Sequence, residues 1–325
     1  MKATAIAPSN IAFTKYWGKK DDKLKLPANG SISMNLSDLY TTTTVEFNAK
    51  LRNDEVRING ENKKHETAKV IEHLNRVRAL AKIRTKAKVL TINNFPTGTG
   101  LSSSASGSAA LTLAASSAAG LHPTEKQLSI LARVGSGSAC RSIPDGFVEW
   151  LDGKTNETSY AVSLHPASYW DIWDVVVIVS SEAKKVSSTR GQEFAASSPF
   201  YQTRLNGMKE KNKHLKKALR KKDFPTFGEL IEEDALNMHA VMLTSRPTLL
   251  YWTTGTLKIM KLVQEWRREG LAVYFTINTG QDIHLIVQAK DEESLKKKLE
   301  KIGEVKKIIV NKPVQGARLI TEHLF

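Results

Sequence analysis

The 325-residue chain has one cysteine, Cys140, and ten prolines, and aromatic residues make up only 7% of it. A single thiol cannot close an intrachain disulfide, so the fold must rest on a packed core, and a reducing, cytoplasmic setting is expected. No run approaches 18 consecutive apolar residues, which argues against a membrane-spanning helix. The opening MKATAIAPSN carries one lysine and no sustained apolar stretch, so no secretory signal is expected. The eight histidines show none of the spacings H-x-x-x-H, C-x-x-C or H-E-x-x-H, and no zinc site is expected.

Acidic residues are also in short supply: 33 against 48 Lys and Arg, a formal net charge of +15. Much of the excess lies in two runs, Lys209 to Lys222 and Lys296 to Lys307. Leucine or isoleucine recurs in both every three to four residues, as in amphipathic helices with solvated lysine faces. Neither run interleaves the aromatic platforms of a nucleic-acid surface, so no nucleic-acid partner is expected. A basic surface also steers small polyanionic substrates.

What is present is ample apolar material, 41% of residues, enough for one large or two medium domains. Thr4–Ile6, Ser31–Leu36, Thr41–Phe47, Val89–Ile92, Val175–Ser180, Val273–Ile277, His284–Val287 and Val305–Val310 read as strands. Arg57–Gly60 reads as a strand ending in an Asn-Gly hairpin turn. Helices are expected over 66–81 (Val70, Leu74, Val77 and Leu80 on one face), 104–119, 124–134, 200–219, 224–242, 247–268 and 291–302. Thr124 and Gln127 have capping-box spacing. Mixed strands and helices with antiparallel hairpins predict an α+β fold in two lobes, 1–175 and 176–325.

The strongest local signal is Pro96-Thr-Gly-Thr-Gly-Leu-Ser-Ser-Ser-Ala-Ser-Gly107, between a strand and an alanine-rich helix. Glycines let the backbone approach a ligand, and the free N–H groups opening a helix form a phosphate site. Serine hydroxyls there can donate to phosphate oxygens or help hold magnesium. A Walker A loop is excluded, since no Gly-Lys-Ser/Thr ending follows.

This loop resembles that of the superfamily containing galactokinase, homoserine kinase, mevalonate kinase and phosphomevalonate kinase. Three further segments resemble its diphosphomevalonate decarboxylase branch. They are Ala7-Pro8-Ser9-Asn10-Ile11-Ala12 with Lys15-Tyr16-Trp17-Gly18-Lys19, then Ser136–Ser142, then Val186–Thr189 with Gly191 and Ser197-Ser198. The ordered similarity runs from residue 3 to beyond 290. It implies a ribosomal protein S5-like N-terminal lobe, a ferredoxin-like C-terminal lobe, a site in the cleft between them, and a homodimer.

The implied reaction phosphorylates the 3-hydroxyl of a mevalonate phosphate with ATP, then expels that phosphate as CO₂ leaves, giving isopentenyl diphosphate. Asn94, Pro96, Gly98, Thr99, Gly100, Leu101, Ser102, Ser103 and Ser104 are implied to bind ATP, with Mg²⁺ carried by the nucleotide near Ser104 rather than by a protein metal site. Lys15 would neutralise the transferring phosphoryl or the carboxylate; Tyr16, Gly18 and Lys19 would meet the distal phosphates, and Trp17 would support them by packing. Ser136, Gly137, Ser138, Ser197 and Ser198 would complete the substrate site. The Arg141 guanidinium suits two-point contact with a carboxylate. Cys140 is expected to be a packing residue, since this chemistry needs no thiolate.

Two departures from the family pattern stand out. Its Asp-Ala-Gly-Pro-Asn signature reads Asn278-Thr279-Gly280-Gln281-Asp282 here, which puts an amide where the family has its catalytic carboxylate. Either Asp282 has inherited the role, or phosphoryl transfer runs on positioning and charge, or the substrate arrives already phosphorylated at the 3-hydroxyl. Related substrates (5-phosphomevalonate, mevalonate 3,5-bisphosphate) and a 3-kinase that stops before decarboxylation remain open for the same reason. The second departure is Pro144-Asp145-Gly146, where the family has two glycines, in the wall beside Arg141.

Overall fold

The computed structural model describes residues 1–95, 100–180, 182 and 184–325. Its first half is built on one mixed sheet. β1 (Lys2–Ala12) leads through a short ribbon of β2 (Lys19–Asp21) and β3 (Leu26–Pro27) into β4 (Ser31–Phe47). β4 is a single 17-residue strand where two were expected, because β1 pairs antiparallel along both of its ends. The register of that pair shifts between Pro8 and Asn10. Such an irregularity re-aims the side chains beside it, and Asn10 is one of the site residues described below.

β5 (Glu55–Ile58), α1 (Lys64–Ala81) and β6 (Ala87–Asn93) follow. The Asn-Gly turn forms, with Asn59 and Gly60 both at positive φ, but it joins no hairpin. It closes on an isolated Ile58–Glu61 bridge, and β5 pairs parallel to β6 instead. α1 buries Leu74 and Val77, whereas Leu80 is 59% exposed. Near its C-terminus Arg78 takes the inward position, buried against Asp54 and the Thr85 carbonyl.

α2 (Ser103–Ala118) lies across β1 and β4; its alanines 105, 109, 114 and 115 are fully buried and let it approach the sheet closely. α3 (Glu125–Gly135) starts at the expected Thr124–Gln127 capping box. A 3₁₀ turn over Gly137–Ser142 follows, then β7 (Phe147–Trp150) and β8 (Ala161–His165), which extend the sheet beside the N-terminal end of β4.

The second sheet runs β10-β11-β9-β12, all antiparallel, with β9 (Ile172–Ile178), β10 (Val273–Thr276), β11 (Ile283–Gln288) and β12 (Lys307–Asn311). Residue 175, where the first lobe was expected to end, is mid-strand in β9. Between β9 and β10 come α4 (Ser188–Gly191), α5 (Tyr201–Lys221), α6 (Phe224–Leu243) and α7 (Thr254–Arg268). α7 is shorter than the expected 247–268. Its start is fixed by a Thr253–Thr256 capping box, and the preceding extended segment packs Leu249 and Tyr251 against Trp17. α8 (Glu292–Leu299) then covers the second sheet through Leu295 and Leu299. The chain finally returns to the first sheet, where β13 (Arg318–Ile320) pairs with β1.

Candidate active site

The segment after β1 holds Lys15 at 1% exposure. Its backbone is clamped from both halves of the chain. Asp234 on α6 accepts from the Lys15 N–H at 2.7 Å, and the Lys15 carbonyl accepts from Asn29 Nδ2 at 2.9 Å and Arg204 Nη2 at 3.2 Å. Arg204 and Asp234 form a two-point ion pair at 2.9 and 3.1 Å, both side chains fully buried. Burial would raise the Asp234 carboxyl, but Arg204 and Lys211 outweigh it and hold the group below the usual carboxylate range. Sequence reading missed this pair, since charges 30 residues apart on two helices leave no local pattern.

Lys15 Nζ donates to the Ala12 carbonyl at 2.6 Å and to Asn278 Oδ1 at 3.1 Å. Burial lowers its pKa to about 7; Asp234 opposes the shift and Arg141 adds to it. Asn278 in turn donates from Nδ2 to Ser102 Oγ at 3.3 Å, and its carbonyl is 3.0 Å from His239 Nε2. Burial pushes His239 down to about 3, so it is neutral and can donate to that carbonyl. Asn278 therefore links Lys15 to the start of α2.

Asp282 is elsewhere in the same turn: its Oδ1 accepts from the Val179 N–H at 3.1 Å, at the end of β9. Thr279 accepts from Lys184 Nζ, at 2.9 Å through its carbonyl and 3.3 Å through its hydroxyl. Lys184 also donates to Ser188 Oγ at 2.9 Å, and burial lowers its pKa to about 8. This half-buried lysine was also missed; it stands two residues before the Val186–Thr189 segment that drew attention.

Of the expected phosphate loop, Pro96, Gly98 and Thr99 lie outside the described residues, and Asn94 ties its own end down by accepting from the Tyr40 N–H at 2.7 Å. Gly100 has φ +108°, and Ser102, the residue before α2, has φ +58°. Ser9 Oγ donates to the Leu101 carbonyl at 2.7 Å. Among the described residues no side chain caps α2, and no acid sits in its first turn. Its leading N–H groups and positive dipole end are thus left for a ligand anion. Ser103 is half-buried, Ser104 is exposed, and neither side chain has a hydrogen-bond partner among the described residues.

Arg141 lies on the 3₁₀ turn and is 4% exposed. Its guanidinium donates to Asn10 Oδ1 from Nε at 3.2 Å and Nη2 at 3.0 Å, and to Ser31 Oγ from Nη1 at 2.7 Å. It also lies over the Trp150 ring, 5.8 Å from the centroid. No carboxylate pairs with it among the described residues. A buried ion costs several kcal/mol unless an opposite charge compensates it, so this one points to an anionic ligand. Tyr16 packs edge-on to Trp150 at 4.6 Å and lies against Gly137, where any Cβ would fall 2.8 Å from its ring.

Trp17 is fully buried among Met238, Val241, Met242 and Leu249. Gly18 has φ +94°, and a Cβ there would collide with the Tyr201 hydroxyl. Lys19 pairs with Asp22. Ser136 begins the 3₁₀ turn, its carbonyl accepting from the Ala139 N–H at 2.8 Å, and the Ser138 carbonyl accepts from Asn10. Cys140 is buried, its thiol pushed up to about 12 and donating to the Gly137 carbonyl. Ser197 and Ser198 are engaged within the protein: Ser197 Oγ accepts from the Arg246 N–H at 2.7 Å, and Ser198 Oγ meets Thr244 Oγ1 at 2.7 Å. The Asp145 departure proves to be a tether, its Oδ1 accepting from the Gly316 N–H at 2.7 Å.

Two sheets joined at a buried cationic site, with an uncapped helix start opposite Asn278 and Thr279, define a two-lobed protein of the small-molecule kinase class. Residues 7–161 match the diphosphomevalonate decarboxylase-like N-terminal domain, and 174–319 the mevalonate 5-diphosphate decarboxylase C-terminal domain. The diphosphomevalonate decarboxylase of Debaryomyces hansenii is 36% identical over 314 residues, covering 90% of this chain and 81% of that one. That of Schizosaccharomyces pombe is 40% identical over 285 residues, covering 81% and 72%. Mevalonate diphosphate decarboxylase from Staphylococcus aureus superposes with a TM-score of 0.93 at 39% identity, covering 98% of both chains. MDDEF in complex with MVAPP, AMPPCP and magnesium gives 0.92 at 40%, covering 98% of this chain and 99% of that one. The chain belongs to the diphosphomevalonate decarboxylase family.

Proposed function

We propose that this protein converts (R)-5-diphosphomevalonate and ATP to isopentenyl diphosphate, ADP, phosphate and CO₂. The observation that carries the reading is Arg141, a buried guanidinium whose hydrogen-bond partners, Asn10 and Ser31, are both neutral. The carboxylate of the substrate is the charge it lacks. As CO₂ departs, that fork holds C1 while positive character develops at C3.

The α2 N-terminus with Gly100, Leu101, Ser102 and Ser103 receives the ATP phosphates through backbone N–H groups and hydroxyls. Ser104 is the residue we assign to the magnesium that the nucleotide would carry, an ion that would supply neutralisation of phosphate charge. Among the described residues no group of three His, Cys, Asp or Glu side chains could hold a metal ion. Lys184, half-buried and without a carboxylate on Nζ among the described residues, suits the transferring phosphoryl, and Lys15 Nζ likewise meets no carboxylate. Tyr16, Lys19, Ser136, Gly137 and Ser138 form the diphosphate side, with Gly18 and Trp17 fixing the backbone beneath. Ser197 and Ser198 are assigned to bracing the 244–246 segment, because their hydroxyls are already used there.

We read the protein as a cytoplasmic homodimer that engages no nucleic acid. No helix among the described residues is long and apolar enough to cross a membrane. Many lysines of the basic helices are paired with acids, Lys211 with Glu233, Lys216 with Glu149 and Lys298 with Glu269, which blunts them as a phosphate-backbone surface. The test of the function is a kcat/KM comparison of 5-diphosphomevalonate, 5-phosphomevalonate and mevalonate 3,5-bisphosphate, each with and without ATP. The diphosphate with ATP should lead; CO₂ from the bisphosphate without ATP would assign the chain to a different substrate.

A further inference from the structure

Resting on that reading, we propose that Lys15 is the general base of the reaction, taking the proton of the substrate's 3-hydroxyl onto Nζ in place of a carboxylate at position 278. Among the described residues Nζ meets two acceptors, which leaves one of its tetrahedral positions unfilled. An amine has two N–H donors and one lone pair. The two acceptors present, the Ala12 carbonyl at 2.6 Å and Asn278 Oδ1 at 3.1 Å, use both donors. The remaining tetrahedral position is left for an incoming O–H.

The charges facing Lys15 leave that amine accessible at neutral pH. From α6, Asp234 spends its carboxylate on the Lys15 backbone N–H, Arg204 and Lys211, not on Nζ. From β9, Asp174 is held by His284 at 2.9 Å. Arg141 from the 3₁₀ turn and Arg204 from α5 both disfavour a further positive charge. His239, on α6 behind the Asn278 carbonyl, is neutral. With burial, these bring Lys15 to about 7. An aspartate at 278 would pair with Nζ and keep it protonated; an asparagine accepts the same hydrogen bond and adds no charge.

Position completes the case. Asn278 spans from Lys15 to Ser102 in two hydrogen bonds, 3.1 and 3.3 Å. The base therefore lies one side chain away from where the γ-phosphoryl would be presented. In the step, the O–H proton moves to the Nζ lone pair while the hydroxyl oxygen's electrons form the bond to γ-phosphorus. The bond from γ-phosphorus to the bridging oxygen breaks and its pair leaves on ADP. Lys15 is now an ammonium beside a new phosphate ester. The C3–O bond then breaks with its pair on phosphate, the C1–C2 pair becomes the C2=C3 double bond, and CO₂ departs. Lys15 returns its proton to the released phosphate or solvent.

The experiment is single-turnover ADP formation from 5-diphosphomevalonate across pH 5.5 to 9, set by this pKa to straddle about 7. Wild type should lose about tenfold per pH unit below about 7 and reach a plateau above it. Lys15→Arg, which keeps charge but cannot give up a proton, should lose about 10²–10⁴-fold and its pH dependence. Asn278→Asp should move the acid limb down toward the carboxylate range, and added to Lys15→Arg it should restore at least about tenfold. A wild-type profile flat between pH 6 and 8, Lys15→Arg within about threefold of wild type, or a double variant no faster than Lys15→Arg would each overturn the assignment. Wild type that releases CO₂ with a flat profile sinks the base alone; wild type that never releases CO₂ from this substrate sinks the function itself.

Discussion

Gly100, three residues before α2, and Gly280, in the turn between β10 and β11, meet backbone to backbone: a Cβ at Gly100 would lie 2.9 Å from the Gly280 Cα. Gly100 also has φ +108°, a conformation that L side chains rarely adopt. This contact sets the loop of the first half against the turn that carries Asn278. Gly100→Ala should therefore cost about 1–2 kcal/mol of stability and about tenfold or more in kcat/KM for ATP. Thermal unfolding and ATP kinetics read both; an alanine variant with wild-type ATP kinetics would separate this contact from the nucleotide site.

Arg141→Gln keeps hydrogen-bonding capacity but removes the charge that no carboxylate among the described residues matches. CO₂ release should fall by about 10³-fold or more while ATP still binds. Arg141→Lys should recover little of it, because an ammonium cannot reproduce the planar fork. Near-normal CO₂ release by Arg141→Gln would make Arg141 a structural residue.

Asp234 is predicted to matter first for folding. Breaking one half of a fully buried ion pair costs about 3–5 kcal/mol, so Asp234→Asn should lower the melting temperature by several degrees. The pH dependence follows from the sign of the shift. A carboxylate held below its ordinary range stabilises the fold above the unfolded-state value, about 4. That stability is lost as pH falls through the lower folded value. Acid unfolding of Asp234→Asn should accordingly be shallower than that of wild type; equal slopes would remove Asp234 from the balance.

Asp282 yields the opposite expectation from the one its sequence position suggests. Alternation along the chain sets residues 278 and 282 on one side, but the turn at Thr279-Gly280 breaks that parity. The Asp282 Oδ1 is turned to the Val179 N–H. Asp282→Asn retains an acceptor there and should keep kcat within about tenfold of wild type. Loss of the phosphoryl step by about 10²-fold or more, with the fold intact, would return the base role to Asp282.

Much of the architecture is legible in the sequence because it is written locally. The capping box at Thr124, the alanine-rich α2 and the runs of β-branched residues each act over a few positions and survive tertiary packing. The errors have tertiary causes. β4 reads as two strands until β1 is seen to span both, and α7 loses seven residues because the segment before it is drawn onto Trp17. In the site, Lys15, Arg141, Asn278 and the serines before α2 come forward by motif. Asp234, Arg204 and Lys184 do not, since their importance lies in partners 30 to more than 200 residues distant.

On this reading one chain couples phosphoryl transfer to decarboxylation of 5-diphosphomevalonate, despite an amide at position 278. Quantifying ADP and CO₂ together from this substrate, at pH 8 where Lys15 is mostly amine, tests it most directly. One CO₂ should form for each ADP, and no CO₂ when ATP is omitted. ADP formed without CO₂, or CO₂ formed without ATP, would contradict it.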